Sequence, residues 1–198
     1  MNPRSARPGC AFVALAGASF AVATTLAAAA VFDVDSDHRT VYFAVAHREI
    51  SYVRGRFLKL DATVAFDPQA KTGSVVANVD ASSVDTGNRT IDEVLRSPQF
   101  LDTAQFPEVR YIGENFVFEG DALTAIDGTL WLHGVQHPLR LTVQRFVCKD
   151  VQAGIAKRYA CGGTFRTAFD RSRYGLTRSL PDVGDRVELE INIEATRR

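Results

Sequence analysis

The chain has 198 residues, of which 46% are hydrophobic and 23% are charged. A chain of this length and composition folds as a globular domain with a sizeable core, so a disordered, collagen-like or coiled-coil protein is not expected. The 23 basic residues balance the 23 acidic residues, which argues against a protein that binds nucleic acid or a membrane surface by bulk positive charge.

The first thirty residues form a segment of their own. Arg4 and Arg7 precede an apolar run over residues 11–26, and the alanines that follow provide an A-x-A cleavage site. This order of basic, apolar and small residues is typical of a secretory signal peptide. An uncleaved membrane anchor is the alternative, but the run is shorter than the roughly 20 residues that span a bilayer. We predict a cleaved signal peptide over residues 1–30 and a mature domain over residues 31–198.

Most of the predicted mature chain alternates apolar and other residues with the period of two that β-strands require. The first such segment places Val41, Phe43 and Val45 on one face. Short turns rich in Gly, Pro, Asp and Asn separate the segments, and Glu119-Gly120-Asp121 has the composition of a hairpin turn. The pattern predicts one antiparallel all-β domain, either a barrel or a sandwich. Further alternating segments lie near residues 58–66, 75–79, 126–132, 139–143, 165–169 and 187–193.

Two places depart from strict alternation. At Phe57 and Leu58 two apolar residues follow each other, and we interpret this as a β-bulge that redirects the strand. Over residues 89–96 the apolar residues recur at helical spacing, and Pro98 follows the segment. This second pattern predicts a short helix near residues 89–96.

Cys148 and Cys161 are the two cysteines of the predicted mature chain. An even number of cysteines in an exported protein predicts a disulfide, with two free thiols as the alternative. A zinc site is not predicted, because the chain has no C-x-x-C pair.

Motifs for catalysis are missing from the sequence. The chain contains no G-x-S-x-G, no Walker loop, no H-E-x-x-H and no dinucleotide-binding fingerprint. His133 and His137 flank a turn, where their spacing of four residues does not fix the geometry of a metal site. We therefore predict no catalytic residues, no metal and no cofactor.

The 13 phenylalanines are the most informative part of the composition. A small barrel fills its interior with such side chains, whereas a slightly wider one holds a ligand. Periodicity does not separate a packed core from a ligand cavity, and both remain open at this point.

Six stretches, taken in order, carry a resemblance that covers nearly the whole predicted mature chain. They are Asp35-x-x-His38-x-x-Val41-x-Phe43-x-Val45-x-His47; Val53-Arg54-Gly55-Arg56-Phe57; Asp85-Thr86-Gly87-Asn88 followed by Leu95-Arg96-Ser97-Pro98-x-Phe100 and Phe106-Pro107; Gly128-x-Leu130-x-Leu132-His133-Gly134-Val135-x-His137-Pro138; Asp170-Arg171-Ser172-x-Tyr174-Gly175-Leu176; and Val183-Gly184-Asp185-x-Val187. Together they resemble the YceI-like family of lipocalin-like, polyisoprenoid-binding periplasmic proteins.

This resemblance implies an antiparallel, lipocalin-like β-barrel of about eight strands with a long apolar cavity for a polyisoprenoid or an isoprenoid quinone. Such a chain is insoluble, and each CH₂ group gains roughly 0.8 kcal/mol on leaving water. In the helical segment the family usually has Arg and His where this chain has Ile91 and Val94, which leaves the contacts to the lipid head group open. The residues expected at the ligand are Val41, Phe43, Val45, Phe57, Leu130, Leu132, Leu141, Phe165 and Phe169 for the wall, and His47, Arg54, Asn88 and Asp92 for polar contacts at the mouth.

The predicted function is therefore that of a periplasmic binding protein without enzymatic activity, which transports or stores the lipid. Two other hypotheses remain. One is an interaction or stress protein with a filled core, and the other is an enzyme of isoprenoid metabolism that uses His38, His47 or Asp92. The partners to consider are the polyisoprenoid, a membrane cytochrome or other envelope protein, and a second copy in a homodimer; nucleic acid is not among them.

Overall fold

The computed structural model describes residues 29–153 and 155–198, so residues 1–28 of the predicted signal peptide lie outside the described residues. The described chain is mostly β-strand. The strands are β1 Ala30–His47, β2 Ser51–Phe57, β3 Leu60–Asp67, β4 Thr72–Asp80, β5 Val84–Asp85, β6 Glu108–Glu119, β7 Ala122–Leu132, β8 Val135–Ala153, β9 Ala156–Asp170 and β10 Val183–Arg197; the helices are α1 Arg89–Arg96 and two 3₁₀ turns, Ala81–Ser83 and Arg171–Tyr174.

Eight of the strands close into an antiparallel barrel. Their order is β10-β9-β8-β7-β6-β4-β3-β1, and pairing between β1 and β10 completes the ring. Alternating apolar residues face the interior because successive side chains of a strand point to opposite faces of the sheet. The prediction of an all-β barrel of about eight strands is confirmed.

Strand β1 has two different neighbours on one of its sides. Residues 30–33 pair with β3, whereas residues 41–47 pair with β2. The chain leaves β2 at Phe57 and enters β3 at Leu60, and Leu58 between them is 59% exposed. The predicted bulge at Phe57 and Leu58 is therefore wrong, because the chain changes strand there. The two-residue strand β5 extends the sheet beyond β2.

Two hairpins have the short turns that right-handed strand twist favours. Gly120 has a φ of 58° in the turn between β6 and β7, as the sequence predicted for this segment. His133 and Gly134 have φ angles of 52° and 74° between β7 and β8. Only these two residues form the second turn, and Pro138 already belongs to β8.

The predicted helix is present as α1. The side chain of Asn88 accepts hydrogen bonds from the backbone N–H groups of Thr90 and Ile91, at 3.0 and 3.4 Å. An Asn at this position satisfies N–H groups that have no partner within the first helical turn. Asn88 therefore fixes where the helix begins.

An aromatic cluster fills one end of the barrel, and a disulfide joins two neighbouring strands beside it; we call this the disulfide end. Cys148 and Cys161 lie directly opposite each other on β8 and β9 and form the predicted disulfide. Phe66 packs against three further rings, with centroid distances of 5.9 Å to Phe116, 6.3 Å to Phe118 and 5.4 Å to Phe146. A disulfide is typical of proteins in oxidising compartments. Within the described ranges, no helix is long and apolar enough to cross a bilayer.

Candidate functional site

A cavity of about 460 Å³ lies inside the barrel. Its volume falls within the range of about 300–1,000 Å³ that is usual for small-molecule sites. Phe32 and Cys161 line it near the disulfide end, and His47 and Val94 line it at the opposite end, which α1 covers and which we call the α1 end. Almost all of the wall consists of aliphatic and aromatic side chains. The interior is therefore a hollow apolar space along the barrel.

The structure places ten of the thirteen predicted ligand residues in the wall of this cavity. On their strands, they occupy the alternate positions whose side chains point into the barrel, as the alternation in the sequence had indicated. Contact with a ligand remains a prediction for each of them. They are Val41, Phe43, Val45, His47, Phe57, Leu130, Leu132, Leu141, Phe165 and Phe169.

The other three predicted residues lie outside the wall, and each has a different partner. The Arg54 guanidinium lies 4.9 Å from the centre of the Tyr52 ring on the exposed side of β2. Asn88 caps α1. Asp92 is buried and accepts hydrogen bonds from the backbone N–H and the hydroxyl of Thr86, each at 2.7 Å. These polar groups stabilise the local fold. The sequence alone does not distinguish this structural role from contact with a ligand.

Helix α1 contributes wall residues that the sequence analysis did not assign to the ligand. Ile91, Val94 and Leu95 line the cavity, and so do Phe100 and Leu101 in the loop that follows. The helical spacing of the first three was the available signal, because one face of a short helix must pack against the barrel. The two positions that depart from the family pattern, Ile91 and Val94, are therefore part of the cavity wall.

The cavity opens beside α1. Among the described residues that line it, only Thr90 and Val94 are exposed, and Val94 is 47% exposed. At the disulfide end, Phe32, Phe66 and Cys161 of the wall are buried, Phe32 to 2% exposure, and Phe146 is half-buried. The opening, which we call the mouth, is thus at the α1 end.

Side chains on α1 fasten the helix to the barrel. The Arg96 guanidinium donates to the carbonyl oxygens of Ser82 at 2.7 Å and Val84 at 2.6 Å. Asp92 holds Thr86 on the segment that leads into the helix. The helix is therefore held both by these hydrogen bonds and by the apolar face that it turns to the cavity.

Two polar residues of the cavity wall have partners within the protein. The Tyr111 hydroxyl donates to the backbone carbonyl oxygen of Ile126 at 3.0 Å or Leu139 at 3.3 Å, and burial raises the pKa of Tyr111. The Tyr111 ring occupies the space beside Gly128 that a side chain would need. A Cβ atom added to Gly128 would lie 2.7 Å from the Tyr111 hydroxyl. Burial lowers the pKa of Arg171, whose guanidinium donates to several backbone carbonyl oxygens.

Arg171 organises the corner between β9 and β10. Its guanidinium donates to the carbonyl oxygens of Gly184, Leu176, Arg178 and Val183. Four of its five N–H groups are thereby occupied. The role of Arg171 is therefore to tie the loop between the two strands to the barrel.

Ser172 and Asp185 form a second contact at this corner. The carboxylate of Asp185 accepts hydrogen bonds from the hydroxyl of Ser172 at 2.7 Å and from its backbone N–H at 2.8 Å. Desolvation opposes ionisation of Asp185, but the hydrogen bonds from Ser172 outweigh it and lower the pKa of the carboxyl. The serine is thus held as a structural donor.

The polar groups free to meet a ligand lie near the mouth. Neither the ring of His47 nor the hydroxyl of Thr90 has a hydrogen-bond partner in the part of the chain that the structure describes, and both residues line the cavity. His133 and His137 instead contact the backbone carbonyl oxygens of Tyr174 and Arg173. Residues 29–153 and 155–198 contain no group of three or more His, Cys, Asp or Glu side chains placed to hold a metal ion.

Proteins of two Shewanella species are similar in sequence to almost the whole chain. A "UPF0312 protein" of Shewanella oneidensis is 31% identical over 190 residues, which cover 94% of this chain and 97% of that protein. A UPF0312 protein of Shewanella denitrificans is 30% identical over 187 residues, covering 93% and 96%.

Solved structures share the fold at lower sequence identity. BcnA of Burkholderia cenocepacia has a TM-score of 0.66 and 19% identity, covering 82% of this chain and 99% of its own. A polyisoprenoid binding domain from Saccharophagus degradans, implicated in plant cell wall breakdown, has a TM-score of 0.63 and 18% identity, covering 86% and 99%. The YceI-like domain family matches residues 32–195. The chain therefore belongs to the YceI-like family.

Proposed function

We propose that the protein holds a polyisoprenoid or an isoprenoid quinone in its barrel and transports or stores it in the periplasm. The observation that carries the proposal is the apolar cavity of about 460 Å³ with a single exposed part of its wall beside α1. A relative with the same fold is named as a polyisoprenoid binding domain.

The chemistry of the wall favours a lipid with a long apolar part. Each CH₂ group that leaves water for such a wall gains roughly 0.8 kcal/mol. The charged residue in the wall, Arg171, already donates to four backbone carbonyls. We expect the prenyl chain to occupy the barrel and its polar end to lie near His47 and Thr90 at the mouth.

Periplasmic location is supported by two features. The Cys148–Cys161 disulfide suits an oxidising compartment, and the pattern of residues 1–30 is typical of a signal peptide. A membrane cytochrome, another envelope protein or a second copy of the chain remain the proposed protein partners.

Organic extraction of the purified protein, followed by mass spectrometry, tests the proposal directly. We expect a prenyl lipid in an amount that approaches one molecule per barrel. Protein that carries no such lipid, and takes none up when it is offered ubiquinone in detergent, would contradict the proposal. Conversion of the lipid during incubation would instead support the hypothesis of an enzyme.

A cavity-filling variant separates a ligand site from a packed core. Leu132 is 7% exposed and lines the cavity. In an occupied cavity, Leu132→Trp displaces lipid while the fold survives, whereas overfilling of a packed core costs about 1–3 kcal/mol. The matched control is Val135→Trp, because Val135 is 36% exposed at the start of β8. Lipid per protein and the thermal unfolding midpoint are measured together; loss of stability in a protein that held no lipid before the substitution would favour the filled-core hypothesis.

A further inference from the structure

Exposed apolar side chains concentrate at the α1 end of the barrel. The described residues include nine large apolar side chains that are exposed, and five of them lie on elements at this end. Ile50, in the turn between β1 and β2, is 86% exposed, and Leu180, in the loop before β10, is 37% exposed. The five residues are Ile50, Tyr52, Val94, Val135 and Leu180.

The loops that carry Ile50 and Leu180 are joined to each other beside the mouth. The backbone N–H of Arg48 donates to the carbonyl oxygen of Asp182 at 2.5 Å. The residues next to this contact, His47 and Val183, both line the cavity. Both loops are therefore held at the end of the barrel where the cavity opens.

Val94 connects the exposed surface to the interior. It is one of the two exposed residues among the described residues of the cavity wall, so Val94 belongs both to the surface at the α1 end and to the interior. We name the set Ile50, Val94 and Leu180 the apolar rim. Exposed apolar residues grouped at the open end of an apolar cavity are typical of a surface that meets another apolar phase.

The polar residues near the rim are of the kinds found where protein meets a membrane. The Arg54 guanidinium stacks on the Tyr52 ring, a pair that combines an apolar body with polar tips. Arg48 has no ion-pair partner among the described residues, but acidic Glu49 follows it. Because the charges near the rim are mixed, any attraction to a membrane here must come mainly from apolar contact.

We infer that the apolar rim docks on the surface of a lipid bilayer, so that a prenyl chain passes between the bilayer and the cavity through the mouth. The inference rests on the proposed function for its cargo. A lipid that crossed open water would expose every methylene group of its chain. Docking at the rim avoids this exposure because Val94 lies both at the surface and in the wall.

Sedimentation with phosphatidylcholine vesicles tests the inference with the disulfide-bonded protein. In the rim variant, Ile50→Ser and Leu180→Ser are combined. In the matched control, Val147→Ser and Ile155→Ser remove aliphatic groups that are 42% and 105% exposed on the β8–β9 hairpin near the disulfide end. We expect the wild type and the control to bind vesicles, and the rim variant to bind at least about tenfold more weakly, since burial of one such side chain is worth that factor or more.

Three outcomes would overturn the inference. They are no binding of the wild type, equal binding of the wild type and the rim variant, and binding that requires phosphatidylglycerol and disappears at high salt. Extraction of lipid from the same preparations distinguishes failure of the docking inference from failure of the proposed function. Protein that contains prenyl lipid but does not bind vesicles refutes docking alone. Vesicle binding by protein that contains no prenyl lipid, and takes none up when it is offered ubiquinone in detergent, refutes the proposed cargo alone.

Discussion

The two ends of the barrel are closed by different kinds of interaction. At the disulfide end, aromatic rings pack around Phe66 and a covalent bond joins β8 to β9. At the α1 end, a single short helix is held by hydrogen bonds from Arg96 and Asp92, and part of the cavity wall is exposed. We expect the few hydrogen bonds at the edge of the barrel to open locally more readily than the packed rings and the covalent bond. We expect ligand exchange at the α1 end only.

The largest expected effect comes from Arg171, at the corner beside the mouth. Arg171→Leu leaves four backbone carbonyl oxygens without their donor, and because each loss costs about 1–3 kcal/mol when the group is buried, we expect stability to fall by at least about 3 kcal/mol. Urea unfolding measures the change. The control Arg166→Leu removes an exposed ion pair between Arg166 on β9 and Glu190 on β10 and is expected to cost less than about 1 kcal/mol. Equal losses in the two variants would contradict the assigned role.

The disulfide is expected to contribute nearly as much at the opposite end. The bond joins residues separated by 13 positions, and a loop of this size corresponds to about 3 kcal/mol in the chain-entropy model. Urea unfolding of the oxidised protein and of the Cys148→Ser, Cys161→Ser variant gives the difference. The rate of lipid release should be the same in both proteins, because exchange takes place at the α1 end. Faster release from the variant would show that the disulfide end also opens.

The contact between Ser172 and Asp185 gives a smaller effect that depends on pH. Loss of the hydroxyl donor in Ser172→Ala is expected to cost about 2 kcal/mol at neutral pH, as for other hydrogen bonds to charged groups. The pKa of Asp185 is lower in the folded protein, so its stabilising contribution is complete above the unfolded value of about 3.9. The contribution is lost as the pH falls through the lower folded-state value.

The measurement is the free energy of unfolding of wild type and Ser172→Ala as a function of pH. We expect the two curves to be separated at neutral pH and to converge in acid. A difference that stays constant down to the lowest accessible pH would mean that the carboxylate of Asp185 does not carry the effect.

The smallest effect on stability is expected at α1, together with the clearest effect on exchange. Arg96→Ala removes two hydrogen bonds to the barrel, one exposed and one part-buried. Because water can replace the donor at this edge, whereas the acceptors of Arg171 are more enclosed, we expect a cost of only about 1 kcal/mol. Hydrogen exchange of α1 should become faster, and so should lipid release. In the control, Arg89→Ala, an exposed pair with Glu93 is lost on the same helix, and neither rate should change. Unaltered release from Arg96→Ala would contradict a mouth at α1.

Local patterns in the sequence were sufficient for much of this architecture. Period-two alternation predicted the strands, and helical spacing over residues 89–96 predicted α1 with the bounds that the structure shows. The disulfide followed from the even number of cysteines, and the pair lies directly across two neighbouring strands. Each of these signals depends on residues close together in the chain or on a simple count, so no knowledge of the tertiary fold was required.

Features that depend on strand pairing could not be predicted in this way. Tyr111 and Phe116 both line the cavity although they are five residues apart, because an irregularity between Gly113 and Asn115 changes the alternation. The interpretation of residues 57 and 58 as a bulge failed for the same reason: a local pattern does not show that β1 exchanges β2 for β3 as its partner.

Polar residues at the candidate site were harder to interpret than apolar ones. Asp92 and Asn88 were predicted as polar contacts at the mouth, but their side chains hold Thr86 and the first turn of α1. A polar side chain can satisfy the backbone as well as it can meet a ligand, and the sequence contains no signal that separates the two. His47, in contrast, occupies a position on β1 whose side chains point into the barrel, and it lines the cavity.

The seam between β1 and β10 also constrains how the protein can fold. Phe32 pairs with Arg197, so the last strand of the barrel meets the first only when almost the whole chain is available. Contacts between residues so far apart in sequence are slow to form, and a chain dominated by them has a high contact order. We expect the barrel to close only after synthesis has delivered residues 183–197. Until then, the preceding strands cannot complete the ring.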